Sequence, residues 1–152
     1  MIIEKALIID LEEILALQKK AYLSEAEIYN DYNIQPLVQT LEGIKDEFKN
    51  QVFLKASADG KIIGSVRAYQ DGDTCYIGKL IVEPELQNQG VGTRLLNEIE
   101  SIFKLSGRYE LFTGYKSIKN IHLYQKTDYK IFRQEKITDN LCLVYLEKAN
   151  YY

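Results

Sequence analysis

Residues 76–104 join a strand, a tight loop and a helix in direct succession. The stretch 76–82 is mostly apolar and rich in strand-forming residues, which predicts a β-strand. The loop that follows, 83–92, contains one proline and two glycines. A helix is predicted to begin near 90–93, because apolar residues then recur at the 3.6-residue period of a helix face. The residues of that face are Leu95, Leu96, Ile99, Ile102 and Phe103.

The start of this helix has the properties of a phosphate-binding site. Backbone N–H groups in the first turn of a helix have no intrahelical partner, and the aligned peptide dipoles add partial positive charge there. Gly90 and Gly92 lack a Cβ, so a ligand can approach the main chain closely. Arg94 can add a mobile positive charge. Together these features predict a cradle for a pyrophosphate group.

Residue spacing distinguishes the known designs of such a cradle. A Walker loop requires Lys and then Ser or Thr after its last glycine, whereas Thr93 and Arg94 follow Gly92. A dinucleotide fingerprint requires a third glycine where this chain has Leu95. The remaining pattern is Gln-x-x-Gly-x-Gly, which begins at Gln87 and follows a strand ending in Val-Glu-Pro. A plain glycine turn is the alternative, but in this context the pattern resembles the coenzyme A signature of the GNAT superfamily of N-acetyltransferases.

The composition is typical of a soluble globular domain. With 46% hydrophobic and 27% charged residues, the 152 residues are expected to form a single domain, 1–152, with a buried core. The net charge of −3 argues against a nucleic-acid partner. No stretch is long and apolar enough for a bilayer and no signal peptide is recognisable, so we expect a cytoplasmic protein without a membrane partner. Cys75 and Cys142 lack a metal-ligand pattern and are predicted to be small buried thiols, with no metal bound.

Hydrophobic periodicity and turn residues predict the remaining elements. The first helix is expected to begin at an Asp10 N-cap and to end near Tyr22. Pro36 is expected to open a second helix, and Ser117 to cap another over 117–126. The second helix would carry Leu37, Leu41, Ile44 and Phe48 on one face. The other predicted strands are 1–7, 52–58, 61–70, 110–113, 130–136 and 141–147.

The resulting order, β-α-α-β-β-β-α-β-α-β-β, is that of GNAT domains, so the resemblance covers nearly the whole chain. It implies an α/β (α+β) GNAT fold, with a mixed, mostly antiparallel sheet of about seven strands and helices on both faces. In that family the fourth and fifth strands, here 76–82 and 110–113, are parallel and splay apart at one end. The resemblance further implies that the pantetheine arm of the cofactor fits between them.

A second motif, 120–129, resembles the Asn-x-x-x-Tyr-x-Lys-x-Gly-Tyr segment of the family. Asn120 and Tyr124 are four residues apart and should share a helix face. The resemblance implies that Asn120 contacts the cofactor arm and that Tyr124, near the coenzyme A sulfur, is a general acid; a core aromatic is the alternative for Tyr124. Asp128 replaces the family's glycine, and aspartate tolerates a positive φ better than most residues.

The resemblance also implies a co-substrate and its binding residues. Acetyl-CoA (coenzyme A) is expected as co-substrate, and a backbone N–H around Ile81 or Val82 is expected to stabilise the oxyanion. The predicted cofactor-binding residues are Leu80, Ile81, Val82, Gln87, Asn88, Gln89, Gly90, Val91, Gly92, Thr93, Asn120 and Tyr124. Because no cysteine lies at a helix start, direct attack by the amine in a ternary complex is favoured over an acyl-enzyme.

The acidic and aromatic segment 24–35 favours a small cationic amine as the acceptor, with a peptide or lysine amine as an alternative. The alternative for segment 24–35 is a solvent-exposed connection without a functional role. The candidate general bases are Glu25, Glu27, Asp31 and Glu83, whereas His122 should point away from the face of Tyr124. Two other functions remain open: a non-catalytic acyl-CoA sensor or partner-binding module, and an acetyltransferase of tRNA-bound amino acids. A homodimer is a mild expectation from the family.

Overall fold

The structure is a computed structural model that describes residues 1–151, with seven strands, five α-helices and two short 3-10 helices, Ile8–Asp10 and Pro84–Leu86. These are β1 (Ile2–Lys5), α1 (Leu11–Tyr29), α2 (Gln35–Val38), α3 (Leu41–Asn50), β2 (Val52–Ala58), β3 (Lys61–Asp71), β4 (Thr74–Val82), α4 (Val91–Ile102), β5 (Arg108–Gly114), α5 (Ile118–Lys126), β6 (Lys130–Lys136) and β7 (Cys142–Ala149). This succession confirms the predicted order of elements, except that the second predicted helix is divided into α2 and α3.

The seven strands form one sheet in the order β1-β2-β3-β4-β5-β7-β6. Every neighbouring pair is antiparallel except β4 and β5, which run parallel. The β4–β5 pairing covers only 74–76 against 108–110, and the two strands separate beyond that point. The expected mixed, mostly antiparallel sheet is therefore confirmed, and its two central parallel strands diverge towards their carboxyl ends.

Each face of the sheet carries an apolar core, because helices cover both faces. One core packs the buried face of α4, which includes Leu95, Leu96 and Ile99, against β2 to β5 and β7. The other packs α1 and α3 against Phe53 and Ile81. The expected layering is confirmed. Within residues 1–151, no helix is both long and apolar enough to cross a membrane.

Helix α1 is seven residues longer than predicted and absorbs half of the segment interpreted as a possible surface connection. Ala26 is 0% exposed and Tyr29 3%, so both continue the buried face of the helix past Tyr22. The helix ends at Asn30, which adopts a left-handed conformation with φ 48°. The sequence did not predict this extension, because charged residues lie between the apolar positions. In the structure those charged residues lie on the other faces of the helix.

Asp10 and Ser117 directly precede their helices as predicted, but neither side chain caps its helix, because each side chain has other partners. Asp10 accepts hydrogen bonds from the Leu7 N–H at 2.7 Å and from Lys55 Nζ at 2.9 Å, and its own backbone is helical. The Ser117 hydroxyl donates to Glu25 and caps nothing. By contrast, Thr40 caps α3 by accepting the Gly43 N–H at 3.0 Å.

Some details of predicted burial also differ from the structure. Ile102, expected on the buried face of α4, is 39% exposed at the end of that helix. Phe103 lies just beyond the helix and is half-buried. Cys75 is fully buried in β4 as expected, whereas Cys142 at the start of β7 is only half-buried. The last turn of α4 and the first residue of β7 are therefore more exposed to solvent than their apolar side chains suggested.

Candidate active site

A β-bulge interrupts β4 near the point where it leaves β5. Ser65 of β3 pairs with Ile81 and Arg67 pairs with Gly78, so two residues of β4, Lys79 and Leu80, lie opposite one residue of β3. Lys79 adopts φ +50°, a left-handed conformation that few non-glycine residues take. Because a bulge leaves ladder groups unpaired, it exposes main-chain N–H groups beside the gap between β4 and β5. The sequence interpretation placed such a group slightly later, around Ile81 or Val82.

Two cavities open along this gap and adjoin one another. The smaller, of about 150 Å³, lies at the start of α4. The larger, of about 540 Å³, lies between the separating ends of β4 and β5. Leu80 and Asn120 line both cavities, and Tyr124 lines the larger one. A ligand held in the first cavity can therefore extend into the second past the bulge.

The smaller cavity is a groove beside an uncapped helix start. Gly90 precedes α4 with φ +85° and offers no side-chain cap, and the first hydrogen bond of the helix runs from the Arg94 N–H to the Gly90 carbonyl at 3.1 Å. The N–H groups of the first turn, at residues 91–93, therefore precede the helical hydrogen-bond ladder. The arrangement suits an anionic ligand such as a diphosphate.

The position of Gly92 tests whether a bulky ligand fits the groove. A Cβ on Gly92 would lie 3.5 Å from Leu123 Cδ2 and 3.7 Å from Val82 Cγ2. Such an atom would fill space between α4, α5 and β4 without a clash. Glycine here thus keeps the groove open next to the main chain, as a close approach by a ligand requires.

The structure brings most of the predicted cofactor-binding residues to this groove. The predicted residues that line it are Leu80, Val82, Gln87, Asn88, Gly90, Val91, Gly92, Thr93 and Asn120. Ile81 instead points into the core against α1 and α3, while Gln89 and Arg94 are exposed outside the groove. Sequence reasoning missed Leu86, Lys119 and Leu123, which also line it. Lys119 adds a cation, and its place directly before Asn120 in the second motif was the available signal.

Asn120 and Tyr124 share the inner face of α5, as their spacing predicted. Asn120 Nδ2 donates to Thr113 Oγ1 at 3.3 Å, which ties α5 to β5. Tyr124 is 6% exposed, and burial raises the pKa of its phenol, as do the nearby Tyr22 and Glu25. The hydroxyl therefore keeps its proton at neutral pH and can act as a proton donor but not as a base.

Asp128 ends α5 in the conformation that the sequence analysis anticipated. Its φ is +76°, and the Tyr129 N–H that follows donates to the Tyr124 carbonyl at 2.9 Å. This turn fixes the end of the helix that carries Tyr124. The replacement of the family's glycine by aspartate therefore preserves the local geometry.

We expect Asp128→Gly to raise the free energy of unfolding by about 1 kcal/mol, because glycine adopts a positive φ without the steric penalty of a Cβ. The midpoint of a urea denaturation curve measures this change. Asp139→Gly, at an exposed loop position without a positive φ, is the matched control and should bring no gain. A lower stability of Asp128→Gly than of the unchanged protein would contradict the argument.

The candidate bases separate into two groups in the structure. Glu25 and Asp31 line the larger cavity. Glu83 is buried at 4% exposure but pairs with Lys20 and lines neither cavity, and Glu27 is exposed outside both. His122 is exposed on the outer side of α5, as its spacing predicted. Of the four candidate bases, only Glu25 and Asp31 can therefore meet a ligand in the larger cavity.

Glu25 is held in place by a chain of hydrogen bonds. The Lys116 N–H donates to the Tyr29 hydroxyl at 2.8 Å, which lies 2.9 Å from Ser117 Oγ, and the Ser117 hydroxyl donates to Glu25. Gly114 makes room for this chain, since a Cβ there would lie only 2.0 Å from the Tyr29 hydroxyl oxygen. The carboxylate at the cavity wall is thus positioned by β5, α5 and α1 together.

The two cysteines lie away from both cavities. Cys75 sits at the paired end of β4, opposite Tyr109 of β5, and burial raises the pKa of its thiol to about 12. A protonated, enclosed thiol is a poor nucleophile. The site therefore offers phenols, carboxylates and backbone N–H groups, but no activated thiol among residues 1–151.

Comparison with known proteins agrees with this architecture. The sequence matches the Acetyltransferase (GNAT) family over residues 11–129. No curated protein matches the sequence significantly.

Three solved structures illustrate the similarity of fold. The PaiA N-acetyltransferase from Thermoplasma acidophilum, in complex with coenzyme A, has a TM-score of 0.81 at 23% identity over 98% of this chain and 99% of its own. The ribosomal-protein-S18-alanine N-acetyltransferase from Escherichia coli has a TM-score of 0.82 at 13% identity over 99% and 94%. A phosphinothricin acetyltransferase from Sinorhizobium meliloti, in complex with AcCoA, has a TM-score of 0.79 at 15% identity over 98% and 88%. Because the family match itself covers residues 11–129 of 152, the chain belongs to the GNAT family of acetyltransferases, which are acyltransferase enzymes.

Proposed function

We propose that this protein transfers the acetyl group of acetyl-CoA to the amine of a small cationic acceptor, by direct attack in a ternary complex. The observation that carries the proposal is the pair of adjoining cavities, which share Leu80 and Asn120 at the bulge of β4. One cavity suits a diphosphate, and the other holds a proton donor and carboxylates. Two substrates can therefore meet at one point without a covalent enzyme intermediate.

The residues of the smaller cavity fit the diphosphate of coenzyme A. The first-turn N–H groups of α4 and the Lys119 ammonium supply positive charge, and Gly92 leaves the main chain open to approach. Asn120, at the junction of the two cavities, is placed to contact the pantetheine arm. When bound, acetyl-CoA would supply the acetyl group as an activated thioester.

The residues around the junction supply the remaining chemistry. A bulge leaves ladder N–H groups without a partner, so the N–H groups of Lys79 and Leu80 are the candidate donors to the oxyanion. The Tyr124 phenol holds the proton that the departing thiolate requires. Neither cysteine lines a cavity, which favours direct attack by the amine.

The larger cavity has the character expected for a cationic amine. Glu25 and Asp31 bring negative charge to its wall, and several tyrosine rings surround the space. Carboxylates and ring faces attract an ammonium group and lower the free energy of its binding. The same two carboxylates are the remaining candidates for the base that deprotonates the amine, directly or through water.

An amine-panel assay that follows thiol release from acetyl-CoA tests this function. Turnover with at least one small amine, and acylation of that amine by mass spectrometry, would support it. Coenzyme A binding without turnover across the panel would favour the acyl-CoA sensor. Absence of heat in calorimetric titration with both coenzyme A and acetyl-CoA would overturn the proposal.

We expect Gly92→Val to raise the Kd for coenzyme A by at least about tenfold, because the side chain would occupy the groove beside the main chain. The added Cβ itself makes only ordinary contacts, and a cooperative urea denaturation curve would show that the variant is folded. Calorimetric titration measures the Kd. Asn97→Val places the same residue on the exposed face of α4 and should leave the Kd unchanged. An unchanged affinity in Gly92→Val would show that the groove is not the cradle.

A further inference from the structure

The larger cavity has a cationic wall that the proposed reaction does not require. Arg67 of β3 and Lys79 of β4 both line it. Arg67 is only 2% exposed; its Nη1 donates to Glu47 Oε2 at 2.5 Å, and its Nη2 donates to Gln18. Its Nε is buried and has no partner among residues 1–151. The guanidinium is thus a fixed positive group whose Nε–H has no partner among the described residues.

Lys79 is the second cation and the less compensated one. Among residues 1–151 it forms no ion pair, although it is half-buried. Burial and the charge of Arg67 both lower the pKa of its amine, so the surroundings disfavour the charged form. The φ of +50° also disfavours a long side chain, since glycine or asparagine would adopt it more readily. A lysine is therefore present although both the surroundings of its charge and its backbone conformation are unfavourable.

The charges on this wall do not balance. The charged groups that act on Lys79 are Arg67 and Glu47, which pair with each other, so the three together carry a net charge of +1. Glu110 also lines the cavity, but it pairs with Arg108. A partly buried charge without a counter-ion loses solvation free energy that only a nearby opposite charge restores. An anionic group on a ligand would supply that charge.

A different part of the same cavity is acidic. Glu25 lines the cavity together with Tyr22 and Tyr124, and its charge adds to the effect of burial in raising the pKa of both phenols. Asp31 accepts the Asn33 N–H at 2.9 Å and, like Glu25, has no ion-pair partner among residues 1–151. The cavity therefore offers separate places for an ammonium and for an anion.

We propose that the acceptor is cationic only at its amine and also carries a carboxylate, which Lys79 binds, so that the substrate class is the free amino acids. The inference rests on the proposed function for the fate of the amine, but the anion-binding role of Lys79 stands on the cavity alone. The volume of about 540 Å³ is large enough for an amino acid beside the end of a pantetheine arm. Lys79 would thus determine specificity through its side chain.

Matched acceptor pairs provide the test. Each proteinogenic L-amino acid is compared with its own carboxamide, which keeps the amine and side chain but removes the negative charge. For the best pair we expect kcat/KM to favour the amino acid by at least about tenfold, the usual worth of a charge-assisted hydrogen bond. The difference should lie in KM, because Lys79 binds a group remote from the reacting atoms.

Three variants assign that preference to Lys79. Lys79→Asn removes the charge with a residue that tolerates a positive φ, and it should reduce the ratio between amino acid and carboxamide to near one. Lys79→Arg keeps the charge and should retain the preference. Lys104→Asn removes the same charge from an exposed position away from both cavities and should leave the ratio unchanged. A preference for carboxamides, or a ratio insensitive to Lys79→Asn, would overturn the proposal.

A binding measurement separates this proposal from the proposed function. The amino acids and carboxamides are titrated calorimetrically into protein saturated with coenzyme A. Amino-acid binding that is lost in Lys79→Asn would support the anion site even if no acetyl transfer were detected, in which case only the catalytic function would fail. Absence of both binding and turnover for every amino acid would overturn the present inference.

Discussion

Tyr124→Phe is expected to lower kcat by about 100- to 10,000-fold, the usual range for loss of a general acid, while the Kd for coenzyme A changes little. The phenol of Tyr124 lines the larger cavity beside Asn120, where the two cavities meet. Phenylalanine keeps the ring and its packing against Tyr129, whose centroid lies 6.1 Å away, and removes only the proton donor. Steady-state kinetics and calorimetric titration give the two quantities separately.

The pKa of Tyr124 adds a second readout to this prediction. Burial and the neighbouring Tyr22 and Glu25 raise the pKa above its ordinary value of 10.0. A group with a raised pKa keeps its proton at every pH below its ordinary value, so the activity of the unchanged protein should not decline below pH 10.0 through loss of this proton. If the activity declined with rising pH well below pH 10.0, the decline would have to come from the titration of another group.

Tyr129→Phe is the matched control for this substitution. Tyr129 is also buried, but its hydroxyl donates to Glu100 at 2.9 Å and lines neither cavity. Its loss should lower stability and leave kcat within about twofold, since a structural hydrogen bond contributes about 1 kcal/mol to folding. Equal losses of kcat and coenzyme A affinity in Tyr124→Phe would show that Tyr124 only binds the cofactor.

Features that depend on neighbours in the chain could be predicted from the sequence. The coenzyme A signature and the Asn120/Tyr124 pair each depend on spacing within one loop or one helix, and the structure places both at the cavities. The turn at Asp59 and Gly60 between β2 and β3 is also set locally, because Asp-Gly favours the positive φ values of 52° and 75° that it adopts. The positive φ of Asp128 follows the same logic, because a helix end imposes it.

Features that depend on contacts between distant elements could not be predicted. Ser117 was assigned to a cap, but its hydroxyl is engaged by Glu25, 92 positions away in the sequence. The bulge at Lys79 depends on the register between β3 and β4. The alternation of apolar residues within one strand does not determine that register. In the sequence, nothing distinguishes Arg67 from other arginines in strands. Its partners Gln18 and Glu47 lie on α1 and α3, and only the fold brings them to it.

Arg67→Met is expected to lower the free energy of unfolding by about 3 kcal/mol, because removal of one partner of a buried ion pair leaves the others unsatisfied. Glu47 would lose its guanidinium partner, and Gln18, which is 0% exposed, would lose a donor to its side-chain oxygen. The stacking of the guanidinium 4.6 Å from the Phe53 ring centroid would also be lost. Urea denaturation measures the change.

The network around Gln18 explains why the loss should spread beyond one pair. Gln18 Nε2 donates to the Pro36 carbonyl and to Gln39 Oε1, both at 2.9 Å, so the same side chain joins β3 to the α2 region. Without the guanidinium, the Gln18 side chain loses its hydrogen bond to the sheet, so its orientation is no longer fixed. Glu47→Met added to Arg67→Met should recover part of the stability, since it removes the unpaired carboxylate.

An exposed arginine provides the control that separates burial from charge. Arg133 pairs with Glu135 at 2.9 Å, but both side chains are about half exposed, at 48% and 45%. Arg133→Met should therefore lower the free energy of unfolding much less than Arg67→Met, because water already solvates both charges. If Arg67→Met cost no more than Arg133→Met, the pairing of Arg67 would contribute nothing to folding. Its burial at the cavity wall would then have to be explained by ligand binding alone.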